Sequence, residues 1–376
     1  MEKRDIRIDF FRGLALLMIF VDHVPKSAGW LFTMRSYSFA DAAELFFFVS
    51  GFIAATVYGA TLRERGMIAA LIRIWRRAWS VFAAQMVLFV FVAAEISLAV
   101  VLTGRAGYFE YFRLKPFIAQ TDSALLHALT LHYQPAYADI LPVYICLFLA
   151  LPFVLAGLRR NPWAVLGASF GLYLVVQLWG WTPTTWPFNQ GWFFNPLAWQ
   201  FLFLLGASFA TPDVRERLPS ARTPGVLPLA LLIAVPTVIV QFAATLHNLW
   251  FSIPLLREMP LPVGKESLEW LRIVSFFATA VIALRVAPQA AALKRHALGR
   301  AVIRCGQHSL PVFCLGVMLA IGGHVVWNEW RSMALQAGYT LAGVALSLAF
   351  AALLDWSRTA ERPRALVEGA RAVAAG

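Results

Sequence analysis

Charge is scarce in this chain. Asp, Glu, Lys and Arg make up 14% of its 376 residues, where an average soluble domain carries about 25%. With 60% hydrophobic residues and a mean hydropathy of +0.67, an ordinary soluble fold is excluded. Cysteine is nearly absent as well. Cys146, Cys305 and Cys314 lie in or beside apolar segments without metal-ligand spacing, which excludes a disulfide framework and a zinc site and leaves three free thiols. No internal repeat, low-complexity segment or soluble domain stands out. The first apolar segment lacks a small-residue cleavage site, so MEKRDIRID is expected to lead into a retained span rather than a removable signal peptide.

What is present is a succession of long apolar runs, the pattern of an all-α, polytopic integral membrane protein. Ten spans are expected, at 10–24, 42–59, 79–102, 140–158, 163–179, 197–210, 226–246, 270–284, 310–327 and 337–354. Residues 61–79 read as a basic loop, 103–139 as a long polar and aromatic loop, and 181–199 as an uncharged loop rich in Trp, Phe, Asn and Pro. Pro and Gly recur inside the runs, which argues for packed helices lining a cavity. The whole chain, 1–376, is expected to form one domain. Residues 355–376 read as a cytoplasmic basic tail, disorder being one reading of it. With the N-terminus inside, the inner segments hold 23 of the 32 Lys and Arg. That bias predicts cytoplasmic termini. It also accounts for the net charge of +12 as topology, so nucleic acid is not an expected partner.

Two stretches carry chemistry. The first is DFFRGLALLMIFVDHVP at 9–25. Arg12 and His23 are eleven residues apart, about three helical turns, so they share a face roughly 16 Å apart along the axis. Asp22 precedes the imidazole and is counted with it as a candidate catalytic residue, and Pro25 helps end the helix. A snorkelling Arg and an interfacial His are the plainer reading. The second is SFADAAELFFFVSGF at 38–52. Asp41 and Glu44 lie one turn apart at the outer start of the second span, at a depth similar to His23. A carboxylate in an apolar run is costly unless paired or functional, and one that orients an imidazole supplies a general base. Glu44 is therefore expected to assist His23, with a polar contact between helices as the alternative.

These stretches resemble the membrane acyltransferases that O-acylate sugars. R-x10-H in the first helix and an acidic residue before LFFFVSGF in the second carry the resemblance. The chain is more closely similar to the OpgC branch, the succinyltransferases of osmoregulated periplasmic glucans, through HYQPAYADILPVY at 132–144, NPLAWQFLFLLG at 195–206 and GQHSLPVFCLG at 306–316. The resemblance implies a bacterial inner-membrane enzyme. Its donor would be cytoplasmic acyl-CoA, specifically succinyl-CoA, used as a co-substrate with no resident cofactor. Its acceptor would be a periplasmic glucan hydroxyl.

Site residues follow from combining that implication with residue chemistry. Arg73, Arg76 and Arg77 stand at the inner mouth of the third span and suit CoA phosphates, although positive-inside charge also explains them. Arg12 would help there or meet the free carboxylate of a succinyl group. His308 and Ser309 would touch CoA or cap the ninth span. Asp41, His132, Tyr133, Tyr137 and Asp139 suit a sugar, whose ring faces pack on aromatics while hydroxyls bond to polar groups. An interfacial aromatic belt is the competing reading. Trp199 and Gln200, which open the sixth span on the same side, are counted with those residues as acceptor-binding, although Gln often just joins helices. His127, His247, His296 and His324 are assigned no role. Transfer of acetyl or another acyl group, or modification of another envelope glycan, stays open. So does a secondary transporter, although the two related halves typical of transporters are not visible.

Overall fold

A computed structural model describes residues 5–249 and 261–374, with side chains through 358 and at 360. Among these residues it contains fifteen α-helices, two short 3-10 helices and no β-strand. The helices are α1 (Ile6–His23), α2 (Ala42–Thr103), α3 (Gly107–Tyr111), α4 (Lys115–Ala119), α5 (Thr121–Leu129), α6 (Ile140–Arg160), α7 (Pro162–Trp179) and α8 (Pro196–Phe209). They continue with α9 (Pro212–Arg217), α10 (Val226–Leu249), α11 (Trp270–Val286), α12 (Ala290–Arg295), α13 (Ala297–Gln307), α14 (Ser309–Trp330) and α15 (Met333–Ala374). Six of them are long and apolar enough to cross a bilayer: α2, α6, α7, α10, α14 and, over Met333–Arg358, α15. The protein is an all-helical membrane protein. Lys3, Arg4 and Arg257 of the orientation count, and the tail side chains at 362, 364 and 371, lie outside the described residues.

Each of the ten apolar segments falls in a helix, but the basic loop at 61–79 does not exist. The second and third segments belong to the single 62-residue helix α2, interrupted at Gly66, whose backbone is non-helical at φ 81° and ψ 179°. Twelve residues of straight helix span about 18 Å, yet Arg73 donates to Thr61 Oγ1 at 2.6 Å. The chain therefore doubles back at Gly66, a positive φ that glycine adopts without strain. The long loop at 103–139 likewise contains α3, α4 and α5. Those elements lack the length and periodicity that mark spans in the sequence.

Two glycine crossings hold the bundle. At the crossing of α1 and α13, a Cβ on Gly13 would strike the Val302 carbonyl, and one on Gly306 the Asp9 carbonyl. At the crossing of α2 and α8, a Cβ on Gly51 would strike the Phe203 carbonyl, and one on Gly206 the Phe48 carbonyl. Small residues let backbones approach this closely where lipid supplies no hydrophobic drive between helices. The crossings also place chemistry, since Arg12, Ser50 and Gln307 each adjoin a crossing glycine and line one cavity. Gly51→Val is expected to destabilise the fold by about 1–3 kcal/mol or more through overpacking. Thermal unfolding of detergent-solubilised protein checks this. An unchanged midpoint would mean that the helices are free to separate there.

Candidate functional site

Three cavities lie in line along α1. The largest, about 660 Å³, is at the His23 end and is bordered by Asp22, His23, Asp41, Tyr137, Asp139 and Lys265. A constriction of about 40 Å³ shares those six residues and adds Phe313. Phe313 also borders a third cavity of about 290 Å³ at the Arg12 end, together with Arg12, Arg77, His308 and Arg358. Phe313 thus stands between the constriction and the Arg12-end cavity, and it stacks on Phe46 at 6.5 Å between ring centres.

His23 closes α1, and its ring is fixed from its own helix. Nδ1 lies 2.6 Å from the Ile19 carbonyl oxygen. A carbonyl only accepts, so Nδ1 donates and the neutral ring keeps its lone pair on Nε2. Trp30 Nε1 donates to the Val21 and Val24 carbonyls at 3.1 Å each, which satisfies the helix end. Arg35 donates to the Asp22 carbonyl at 2.9 Å and lies 4.2 Å over the Trp30 ring, a cation at the negative end of the helix.

Tyr137 meets the His23 ring edge-on at 5.2 Å. Its backbone is left-handed at φ 68°, which costs a bulky residue of order 1 kcal/mol. Its hydroxyl lies 2.7 Å from His324 Nε2, and Tyr111 OH lies 3.2 Å from Nδ1 of the same ring. Burial raises the Tyr137 phenol well above its ordinary range, so the hydroxyl keeps its proton.

The expected partnership of Glu44 with His23 is corrected here. Glu44 is fully buried. Its Oε2 accepts from the Asp41 backbone N–H at 2.8 Å, and its Oε1 accepts from Arg272 Nε at 2.6 Å. Asp41 Oδ1 in turn accepts from the Ala43 N–H at 2.8 Å. The pair is a capping box on α2, clamped from α11 by Arg272. Lys265 adds a 2.6 Å ion pair to Asp41 Oδ2, and Arg272 approaches the same oxygen at 3.2 Å. The imidazole is oriented by a backbone carbonyl instead.

Other expected residues divide by position. Asp22, Asp41, Tyr137 and Asp139 line the large cavity. His132, Tyr133, Trp199 and Gln200 are not among the residues lining it. Tyr133 is buried and donates to the Arg113 carbonyl at 2.6 Å. His132 is exposed and bonds Thr130 at 3.0 Å. Trp199 is buried against Phe47 and Phe194 and donates to the Lys265 carbonyl at 3.0 Å, holding the segment that presents Lys265. Gln200 ties α8 to α7 through Ser169. Each of these four is committed to packing or to backbone groups.

At the other end, Arg12, Arg77, His308 and Ser309 line the smaller cavity, whereas Arg73 and Arg76 do not. Arg73 bonds Thr61 and lies 5.6 Å over Tyr58, and Arg76 is exposed. Helical phase separates Arg76 from Arg77, whereas Arg73, one turn before Arg77 on the same face, is held away by Thr61 and Tyr58. One residue is 100° of rotation, and it is Arg77 that faces inward. His308 Nε2 also lies 3.8 Å from Asp355 of α15.

Arg35, Lys265, Arg272 and His324 were not expected in the site. Arg272 inside an apolar run was a legible signal, since intramembrane charge is functional or paired by default. His324 in GGHVVW carried a weaker version of it. Arg35 and Lys265 fall in connecting segments, where no spacing announces them.

A family model described as OpgC protein matches residues 4–359, nearly the whole chain. No curated protein and no solved structure matches the chain.

Proposed function

The chain belongs to the OpgC family, and from that premise we propose that it is a membrane O-acyltransferase moving a succinyl group from cytoplasmic succinyl-CoA to a hydroxyl of a periplasmic glucan. The carrying observation is the line of cavities, with two spaces meeting at a constriction that His23 borders. A transferase whose substrates come from opposite faces needs two entrances and one meeting point. The proposed topology has ten spans with both termini in the cytoplasm, α2 and α8 included. The Arg12-end cavity is then the donor side. Arg12, Arg77 and Arg358 suit phosphates there, because guanidinium binds them through charge-assisted, often paired hydrogen bonds. The large cavity takes the glucan. Its carboxylates suit hydroxyls, and Tyr137, Tyr111 and Trp30 suit sugar faces.

In the proposed step, His23 Nε2 removes the proton of an acceptor hydroxyl as its oxygen attacks the thioester carbonyl. The C–S bond breaks, and the imidazolium returns the proton to the departing thiolate, giving an ester and free CoA. No charge is left behind in the bundle. Arg35 and Lys265, which border the large cavity while holding the Asp22 carbonyl and Asp41, set a positive field there for the free carboxylate of the succinyl group.

Sidedness tests this reading. Inverted membrane vesicles given labelled succinyl-CoA and enclosed glucan should form labelled glucan ester, whereas sealed right-side-out vesicles given the same donor outside should form none. Labelled acetyl-CoA in a parallel arm identifies the acyl group. Accumulation of label without a covalent product would instead indicate a transporter.

A further inference from the structure

The Arg12-end cavity holds two hydroxyls that the reaction scheme leaves unused. Ser50 of α2 and Tyr144 of α6 both line it, and each is only 4% exposed. The two groups neighbour one another, yet neither oxygen has a hydrogen bond of normal geometry. Two buried hydroxyls left with at most a poor contact to each other keep hydrogen-bonding capacity unmet, at a cost of roughly 1–3 kcal/mol for each unsatisfied group, and such groups in a folded protein call for an explanation.

Their depth identifies what they face. Ser50 is six residues beyond Glu44, about 9 Å along α2, and Tyr144 is five beyond Asp139, roughly 7.5 Å along α6. Both therefore lie on the Arg12 side of the His23 level, in the cavity that Phe313 borders. Around them lie Phe46, Ile53, Val81 and Leu141, with the Arg12 guanidinium 5.6 Å over the Phe46 ring. Arg77 and Arg358 also line the cavity and are the cations offered to a phosphate there, which leaves the hydroxyl pair for a neutral group. A neutral amide fits. It brings one N–H and one C=O, and a hydroxyl pair can both donate and accept. An amide crossing an apolar passage loses its water and needs such partners.

We propose that Ser50 and Tyr144 form a subsite for a neutral amide in the arm of the acyl donor, the linker between its phosphates and its thioester. This rests on the reading of the donor as acyl-CoA. The arm enters past Arg12 and Arg77, its methylenes lie on Phe46 and its neighbours, and an amide pairs with the two hydroxyls. The thioester is thereby held in register with His23. Tyr144 is fitted for this by its ring, which stacks on Phe47 at 4.7 Å and so presents the hydroxyl from a fixed position.

The test is equilibrium binding to the full chain in detergent, with two probes: CoA itself, and adenosine 3′,5′-bisphosphate, which lacks the arm. The variants are Ser50→Ala, Tyr144→Phe and the double. Tyr144→Phe keeps the ring and its stacking, and thermal midpoints check the fold. Each single change should weaken CoA about ten-fold, the scale of one lost buried hydrogen bond with its partner left unmet. Adenosine 3′,5′-bisphosphate should bind all forms equally. If CoA binds the double variant as tightly as the native chain, the subsite is refuted while the donor reading stands. Equal weakening of both probes refutes it too, because the hydroxyls would then serve the phosphates or the fold. If the native chain binds neither probe, the donor reading itself falls. Transfer assays with acetyl-CoA and succinyl-CoA close the remaining route: a defect confined to succinyl-CoA would make this a carboxylate subsite and overturn the amide assignment.

Discussion

His23→Ala should lower acyl transfer by roughly 10²–10⁴-fold, the usual worth of a positioned general base, while CoA affinity and thermal stability stay near native. The expectation rests on one atom. Nδ1 is committed to the Ile19 carbonyl, so Nε2 has the free lone pair, and the ring borders both the constriction and the large cavity. Because the imidazole is at the end of α1, its removal takes nothing from the glycine crossings that hold the bundle. Binding and chemistry should therefore separate cleanly: the loss appears in kcat, with the donor KM little changed. His23→Gln is a sharper probe, since it retains hydrogen-bonding capacity without a proton-accepting nitrogen of suitable basicity. Transfer within a few-fold of native in either variant would remove His23 from the mechanism.

The first helix was the most legible part of the site. Arg12 and His23 share a helical face by spacing alone, and they border the two cavities that a transfer across the bundle requires. Tyr137 and Asp139 were legible through their neighbourhood, as polar and aromatic residues leading into an apolar run. The apolar segments themselves were legible because burial in lipid demands length and hydrophobicity in every span, and both are properties of the sequence. The reversal at Gly66 was not. A basic amphipathic stretch between two spans has the composition of a loop, and only the Arg73–Thr61 contact reveals helix on both sides of a turn.

Glu44 illustrates a different failure. Asp-x-x-Glu before an apolar run is the signature of a capping box, and the sequence DAAE at 41–44 satisfies it. Local backbone demand claimed the carboxylate before any imidazole could. The cation that completes the clamp, Arg272, lies 228 residues away in sequence, and no local pattern pairs the two. Arg73 and Arg76 failed for a geometric reason. A basic cluster at a helix mouth points several ways round the axis, so composition finds the cluster, while phase excludes Arg76 and the long-range bond to Thr61 diverts Arg73, leaving Arg77 on the cavity.

The clamp at Glu44 leads to the largest expected effect on stability. Glu44 is fully buried, and its ion pair with Arg272 is short, at 2.6 Å. Removing one partner strands the other as an uncompensated buried charge, a loss of about 3–5 kcal/mol. Arg272→Met should therefore abolish most folded protein, read as monodisperse material and thermal midpoint in detergent. Glu44→Gln added to Arg272→Met should restore much of it. Glutamine carries no charge to strand, and its side-chain oxygen still accepts from the Asp41 N–H, as in other capping boxes. Lys265 remains to pair Asp41. The double variant also separates architecture from chemistry. If Glu44 serves the fold, the rescued protein should retain transfer within about ten-fold of native, a smaller loss than removal of a general base produces. A rescued fold with transfer as low as that of His23→Ala would place the Glu44–Arg272 pair in the reaction and undo its assignment to the fold alone.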